Sequence, residues 1–143
     1  MTTVERSALV NFSDRQMFDL VKDIERYPEY MDGCSGATIL EQGQDWVVAR
    51  LELSKAKITQ SFTTRNTMTE PNEIGLELVD GPFKYFRGHW SFKQLKDQAC
   101  KVQLRLEFEF KNKLVAMAAG KLFETVATHQ VESLCRRAKQ IYT

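Results

Sequence analysis

Residues 102–110 read Val-Gln-Leu-Arg-Leu-Glu-Phe-Glu-Phe, an alternation of apolar and polar side chains without a fault. A period of two sends one face to a core and the other to water, which marks a half-buried strand. Directly afterwards the period lengthens. Phe123, Ala127, Val131, Leu134, Ala138 and Ile141 recur at steps of three and four within residues 113–142. That spacing gathers one apolar stripe on a helix. About thirty helical residues make a rod of roughly 45 Å, long enough to cross most of the sheet in a small domain. A one-sided sheet followed by a one-sided rod predicts two layers, and a curved sheet gripping such a rod can enclose a pocket.

The rest of the chain supplies the other strands. Residues 4–12 read as a first strand. Ser13-Asp14-Arg15-Gln16 is a capping-box pattern that opens a short helix through Met17, Phe18, Leu20, Val21 and Ile24. Pro28, in Tyr27-Pro28-Glu29-Tyr30, predicts a break, because proline lacks a backbone donor and restricts the residue before it. Asp32-Gly33 is a turn, and residues 37–41 form a short strand. A hairpin at residues 42–45 leads into residues 46–53, where Val47, Ala49, Leu51 and Leu53 share a face. The next strand, residues 57–68, has a mixed face of Ile58, Gln60, Phe62, Thr64 and Asn66. Ile74, Leu76 and Leu78 alternate again until Asp80-Gly81-Pro82 stops them. Residues 83–85 read as a loop, and Gly88, Trp90 and Phe92 face one side of the strand that follows. Short connections demand antiparallel neighbours, so the order predicts an α+β domain with six to seven strands and a long C-terminal helix.

One domain accounts for the whole length. At 143 residues, with 43% hydrophobic and 27% charged side chains, residues 1–143 suffice for a single sizeable core. Cys34, Cys100 and Cys135 are odd in number and form no close pair, which fits reduced thiols in a cytoplasm. The first residues are charged early, and nowhere do 18 uncharged apolar residues run together, so neither export nor a transmembrane segment is expected. Transient membrane contact stays open. Net charge is +1, yet residues 111–143 hold six Lys/Arg against two Glu. Arg136, Arg137 and Lys139 are expected on or beside the solvent face of the last helix, with Lys111, Lys113 and Lys121 near its start. Such cations suit phosphate or an anionic surface, and those near the C-terminus equally suit the helix dipole.

Catalytic patterns are missing. His89 and His129 stand 40 residues apart, and no spacing of histidines and cysteines offers a metal three or four ligands. Gly33-Cys34-Ser35-Gly36 is not a nucleophile elbow, and Cys34 reads as a packed turn residue. Glu107 and Glu109 alternate with Phe108 and Phe110, which puts both carboxylates on the wet face. No phosphate-binding glycine loop or DNA- or RNA-binding module is present. A non-enzymatic binding protein without a cofactor is the expectation.

Five sequence words narrow the family: Tyr27-Pro28-x-Tyr30 with Cys34 after it, Phe62-Thr63-Thr64-Arg65-Asn66, Leu78-Val79-Asp80-Gly81-Pro82-Phe83-Lys84, Gly88-x-Trp90-x-Phe92, and Phe108-Glu109-Phe110-Lys111-Asn112-Lys113-Leu114. In this order, over residues 3–142, they resemble the bacterial ribosome association toxins and their relatives, the mitochondrial coenzyme-Q-binding START proteins, a group also labelled oligoketide cyclase or lipid transport. The resemblance implies a helix-grip, START-like fold whose last helix roofs a hydrophobic cavity. It implies two functions. The first is non-enzymatic binding of a hydrophobic small molecule, ubiquinone or a related polyprenyl lipid, in support of respiration. The alternative is a toxin-type factor that binds the large ribosomal subunit, blocks subunit association and so inhibits translation. On the first reading the wall comprises Leu51, Phe62, Leu76, Leu78, Trp90, Phe92, Leu106, Phe108 and Phe123, with Gln60, Thr64 and Asn66 for a polar head group. The same apolar set would serve a close-packed core. On the second reading the ribosome meets Lys84, Arg87, Arg136, Arg137 and Lys139. Gly120, inside the long helix, predicts a kink that gates the cavity mouth.

Overall fold

The computed structural model describes residues 1–143 apart from Ala56. Its order is β1 (Thr2–Val10), α1 (Asp14–Lys22), a 3-10 helix (Ile24–Glu29), β2 (Cys34–Gln42), β3 (Trp46–Lys55), β4 (Ile58–Thr69), β5 (Glu73–Asp80), β6 (Phe83–Lys96), β7 (Ala99–Phe110) and α2 (Lys113–Tyr142). The seven strands form one sheet in the order β1-β7-β6-β5-β4-β3-β2. Every pairing is antiparallel, and β1 closes onto the last strand with Val4 opposite Leu106. This is the helix-grip arrangement. The alternation in β7 holds: Val102, Leu104, Leu106 and Phe108 are buried, while Gln103 and Arg105 are exposed.

α2 lies on that inner face and buries Phe123, Ala127, Val131, Leu134 and Ala138. Ile141 breaks the predicted stripe, being 46% exposed. Tyr142 makes the terminal anchor instead: its ring packs on Phe12 and its hydroxyl donates to the Gln16 carbonyl. The capping box of α1 is complete, with the Ser13 hydroxyl accepting from Gln16 N–H and the Gln16 side chain accepting from Ser13 N–H. The break predicted at Pro28 comes earlier, at Asp23, and Pro28 sits inside the 3-10 helix. That short helix hands its end to Tyr27, whose carbonyl accepts from Tyr30 and Met31 N–H at 3.1 and 2.8 Å. Gly33 then turns the chain under α2. Its φ of +82° suits glycine, and a Cβ there would fall 2.5 Å from Val126 Cγ2.

Two further expectations are corrected. Residues 83–85 are strand, not loop: Phe83 pairs with Phe110, and a register shift before Tyr85 hides the alternation from a reading of sequence alone. α2 runs through Gly120 as one helix, so no helical break separates a gate from the rest. A methyl at Gly120 would meet only Phe110, at an ordinary 3.7 Å.

Candidate functional site

Six phenylalanines meet where the start of α2 crosses β4, β6 and β7. Phe83 is the hub, with ring centroids 4.7 Å from Phe123, 5.1 Å from Phe86, 5.2 Å from Phe110 and 5.8 Å from both Phe62 and Phe108. Most pairs are tilted or edge-to-face, the geometry that aligns a ring's positive edge with its neighbour's negative face. Beside this cage is a cavity of about 50 Å³. By volume it holds about three to five waters. Its floor exists because of a missing side chain. Gly88 stands between Leu76 and Leu106 in register on neighbouring strands, and a Cβ there would lie 2.7 Å from both leucine side chains.

The cavity is lined by Leu51, Phe62, Leu76, Trp90, Leu106, Phe108 and Phe123 of the predicted wall, together with Leu53, Phe83, Phe86, Val126 and Ala127. Two predicted wall residues lie elsewhere. Phe92 packs edge-on against Phe18 under α1, and Leu78 is half-buried near the Gly81 turn. Phe83 and Phe86 join the wall because β6 already starts at Phe83, where the sequence reads as loop.

Four polar side chains complete the lining: Tyr27, Thr64, Asn66 and Gln130. Gln60 is half-buried on β4 and does not line the cavity. Thr64 Oγ donates to Asn66 Oδ1 at 2.7 Å, and both residues are buried. The Asn66 amide nitrogen donates to no acceptor among the described residues, which leaves its two protons for whatever fills the cavity. Tyr27 donates to the Val21 carbonyl, and burial pushes its phenol well above the ordinary range. Gln130 was missed by the sequence reading, though its position had a signal: it follows Ala127 by three and Phe123 by seven, on the buried stripe. No acidic, basic or histidine side chain lines the cavity among the described residues.

The basic candidates do not form one patch. Lys84 is exposed beside Lys111 and Lys113 at the start of α2, whereas Arg136 and Lys139 line a cleft with Arg6 near its other end. Lys113 and Arg136 are separated along the helix by roughly 35 Å. Arg87, exposed on the outer face, stands between Glu77 and Glu107 of the neighbouring strands. Arg137 is not on the solvent face. Its side chain is 18% exposed, bonds Glu29 at 2.8 Å and lies over the Tyr30 ring. Two of the three thiols are shielded: Cys34 and Cys100 are buried, and burial pushes Cys100 up to about 11, while Cys135 is half-buried and burial raises its thiol too.

Residues 10–135 match the family model described as polyketide cyclase/dehydrase and lipid transport. A ribosome association toxin, RatA, from Vibrio cholerae is 51% identical over 142 residues, covering 99% of each chain. The chain belongs to the RatA group of this family. A more distant relative is a mitochondrial coenzyme Q-binding protein, COQ10 homolog B, from Xenopus laevis; it is 23% identical, with 95% of this chain and 57% of that protein covered. Among solved structures, the ZhuI aromatase/cyclase of Streptomyces sp. R1128 superposes with a TM-score of 0.88 over 99% of this chain and 96% of that one. At 16% identity that likeness shows the fold alone.

Proposed function

We propose that this protein is a non-enzymatic binder of a hydrophobic small molecule with a carbonyl-bearing ring, of the quinone class. The observation that carries this reading is the apolar cavity with a buried, Thr64-oriented Asn66 amide facing it. A flat ring lies well among tilted phenylalanines, and a carbonyl oxygen is what an unpaired N–H asks for. The reading is also supported by the coenzyme Q-binding name of the Xenopus relative. It further requires motion. Pockets that hold drug-sized ligands run to about 300–1,000 Å³, so ring and tail must displace side chains of the cage to enter. A non-enzymatic role is supported by a lining that, among the described residues, supplies no carboxylate, imidazole or amine to move a proton.

The test is mass spectrometry of lipids extracted from the purified protein, followed by titration with ubiquinone. Trp90 lines the cavity and is 2% exposed, so in a Trp46→Phe background its fluorescence should be quenched saturably. Absence of both a retained lipid and any saturable binding removes this reading.

A second reading, association with the large ribosomal subunit in the cytoplasm, is supported by the 51% identity to a protein so named. Its surface would be the cleft of Arg6, Arg136 and Lys139, where contacts to phosphate depend on salt through counterion release. Overexpression should then shift joined ribosomes toward free subunits in sucrose gradients, and Arg136→Glu with Lys139→Glu should abolish that shift. An unchanged profile at high expression removes the reading.

A further inference from the structure

The first two turns of α2 carry more apolar surface than packing needs. Leu114-Val115-Ala116-Met117-Ala118-Ala119-Gly120 is uninterrupted by charge, yet only Ala119 of these is buried. Leu114 is 76% and Met117 84% exposed, the two highest values among the large apolar side chains. Spaced by three, they share the helix face that points away from the sheet, and Lys121 continues that face one turn later. Lysines surround them. Lys111 and Lys113 flank Leu114, and Lys84 joins the same cleft from β6. Lys84, Lys111, Lys113 and Lys121 make no ion pair among the described residues. Glu109 and Glu124 are the acidic groups lining the adjoining clefts. Apolar tips ringed by free cations complement one kind of surface above others, a lipid bilayer with anionic headgroups.

We propose that this end of the molecule docks peripherally on an anionic membrane, with Leu114 and Met117 entering the interface and the four lysines pairing with lipid phosphate. The place is apt. Phe123 of the cage follows Met117 within two turns, and Phe110 touches the Gly120 turn, so the docking end of α2 is also the end that packs on the cage. The proposal does not require the quinone reading, since it concerns the surface and is read without any cavity ligand.

Co-sedimentation with vesicles tests it. Wild-type protein should pellet with phosphatidylcholine vesicles containing phosphatidylglycerol, and not with phosphatidylcholine alone. Each lysine near such a surface strengthens binding about fivefold, so Lys111→Gln, Lys113→Gln and Lys121→Gln together should weaken it on the order of a hundredfold. Leu114→Gln with Met117→Gln should weaken it comparably while leaving ubiquinone binding in solution intact. All five positions are exposed, so the fold should survive, and an unchanged circular dichroism melt confirms that. Equal pelleting with neutral vesicles, no pelleting at low salt, or a dimer in sedimentation velocity that Leu114→Gln/Met117→Gln dissolves would each overturn the proposal.

Discussion

Thr64 and Asn66 sit two apart on β4, so both point inward, and two buried polar side chains cost stability unless they satisfy each other. Their 2.7 Å bond does so in part. Thr64→Val should strand the Asn66 oxygen and lower unfolding free energy by about 1–3 kcal/mol, seen as a lower urea midpoint at constant slope. Adding Asn66→Leu should recover most of that loss, because the pair is then replaced by apolar groups, while quinone affinity falls with the missing donor. Stability lost in both variants alike would show that the bond is not what the pair contributes. The pattern of this face was legible in the sequence, since Phe62, Thr64 and Asn66 alternate. The partner of an individual side chain was not. Arg137 reads as one more cation in a basic helix, and only the fold brings Glu29 and Tyr30, more than a hundred residues away, around it.

At the scale of elements, periodicity served well where an element is long and regular, and poorly where bulges or turns interrupt it. α2 and β7 follow their patterns to within a few residues, whereas the start of β6 sits behind a proline and carries a register shift, so Phe83, the hub of the phenylalanine cage, reads as loop. Gly120 illustrates the limit differently. A glycine in a helix marks either a bend or a close approach, and the structure has an unbroken helix with room for a methyl. Gly120→Ala should therefore raise stability by about 0.5–1 kcal/mol, measured as a higher melting temperature. A lower one would mean that Phe110 cannot yield. The turn between the 3-10 helix and β2 is clasped to β3 and α2 by Asp32, whose Oδ2 accepts from Lys55 Nζ and meets His129 Nδ1, each at 3.1 Å. The Lys55 bond, chiefly, holds this carboxyl below its ordinary 3.8. A depressed folded-state value contributes stability that is present above 3.8 and lost as pH falls through the lower folded value. Asp32 is 39% exposed, so the contribution is of surface size, about 0.2–1 kcal/mol. Asp32→Asn should remove it at neutral pH and flatten the acid limb of the stability curve.

For the whole molecule the question is whether the cavity and the charged surfaces serve one activity or two. Gly88 separates them. It stands between the cavity-lining Leu76 and Leu106, next to the outward-facing Arg87, and lines no part of the cleft of Arg6, Arg136 and Lys139. A methyl there comes within 2.7 Å of the outer ends of Leu76 and Leu106, flexible groups that can swing aside, and 3.3 Å from Leu76 Cβ, which has to give by only a few tenths of an ångström. The space available to them is the cavity. Gly88→Ala should therefore fill much of its 50 Å³ at little cost to folding, because small overpacking is relieved into an existing void. Ubiquinone quenching of Trp90 should fall at least tenfold in apparent affinity, with the melting temperature nearly unchanged. Under the two-activity view, ribosome profiles on overexpression should match those of wild type. Equal loss of both would instead mean that the ribosome recognises the ligand-filled form, since a change buried beneath the sheet can reach the surface only through the packing that a ligand holds open.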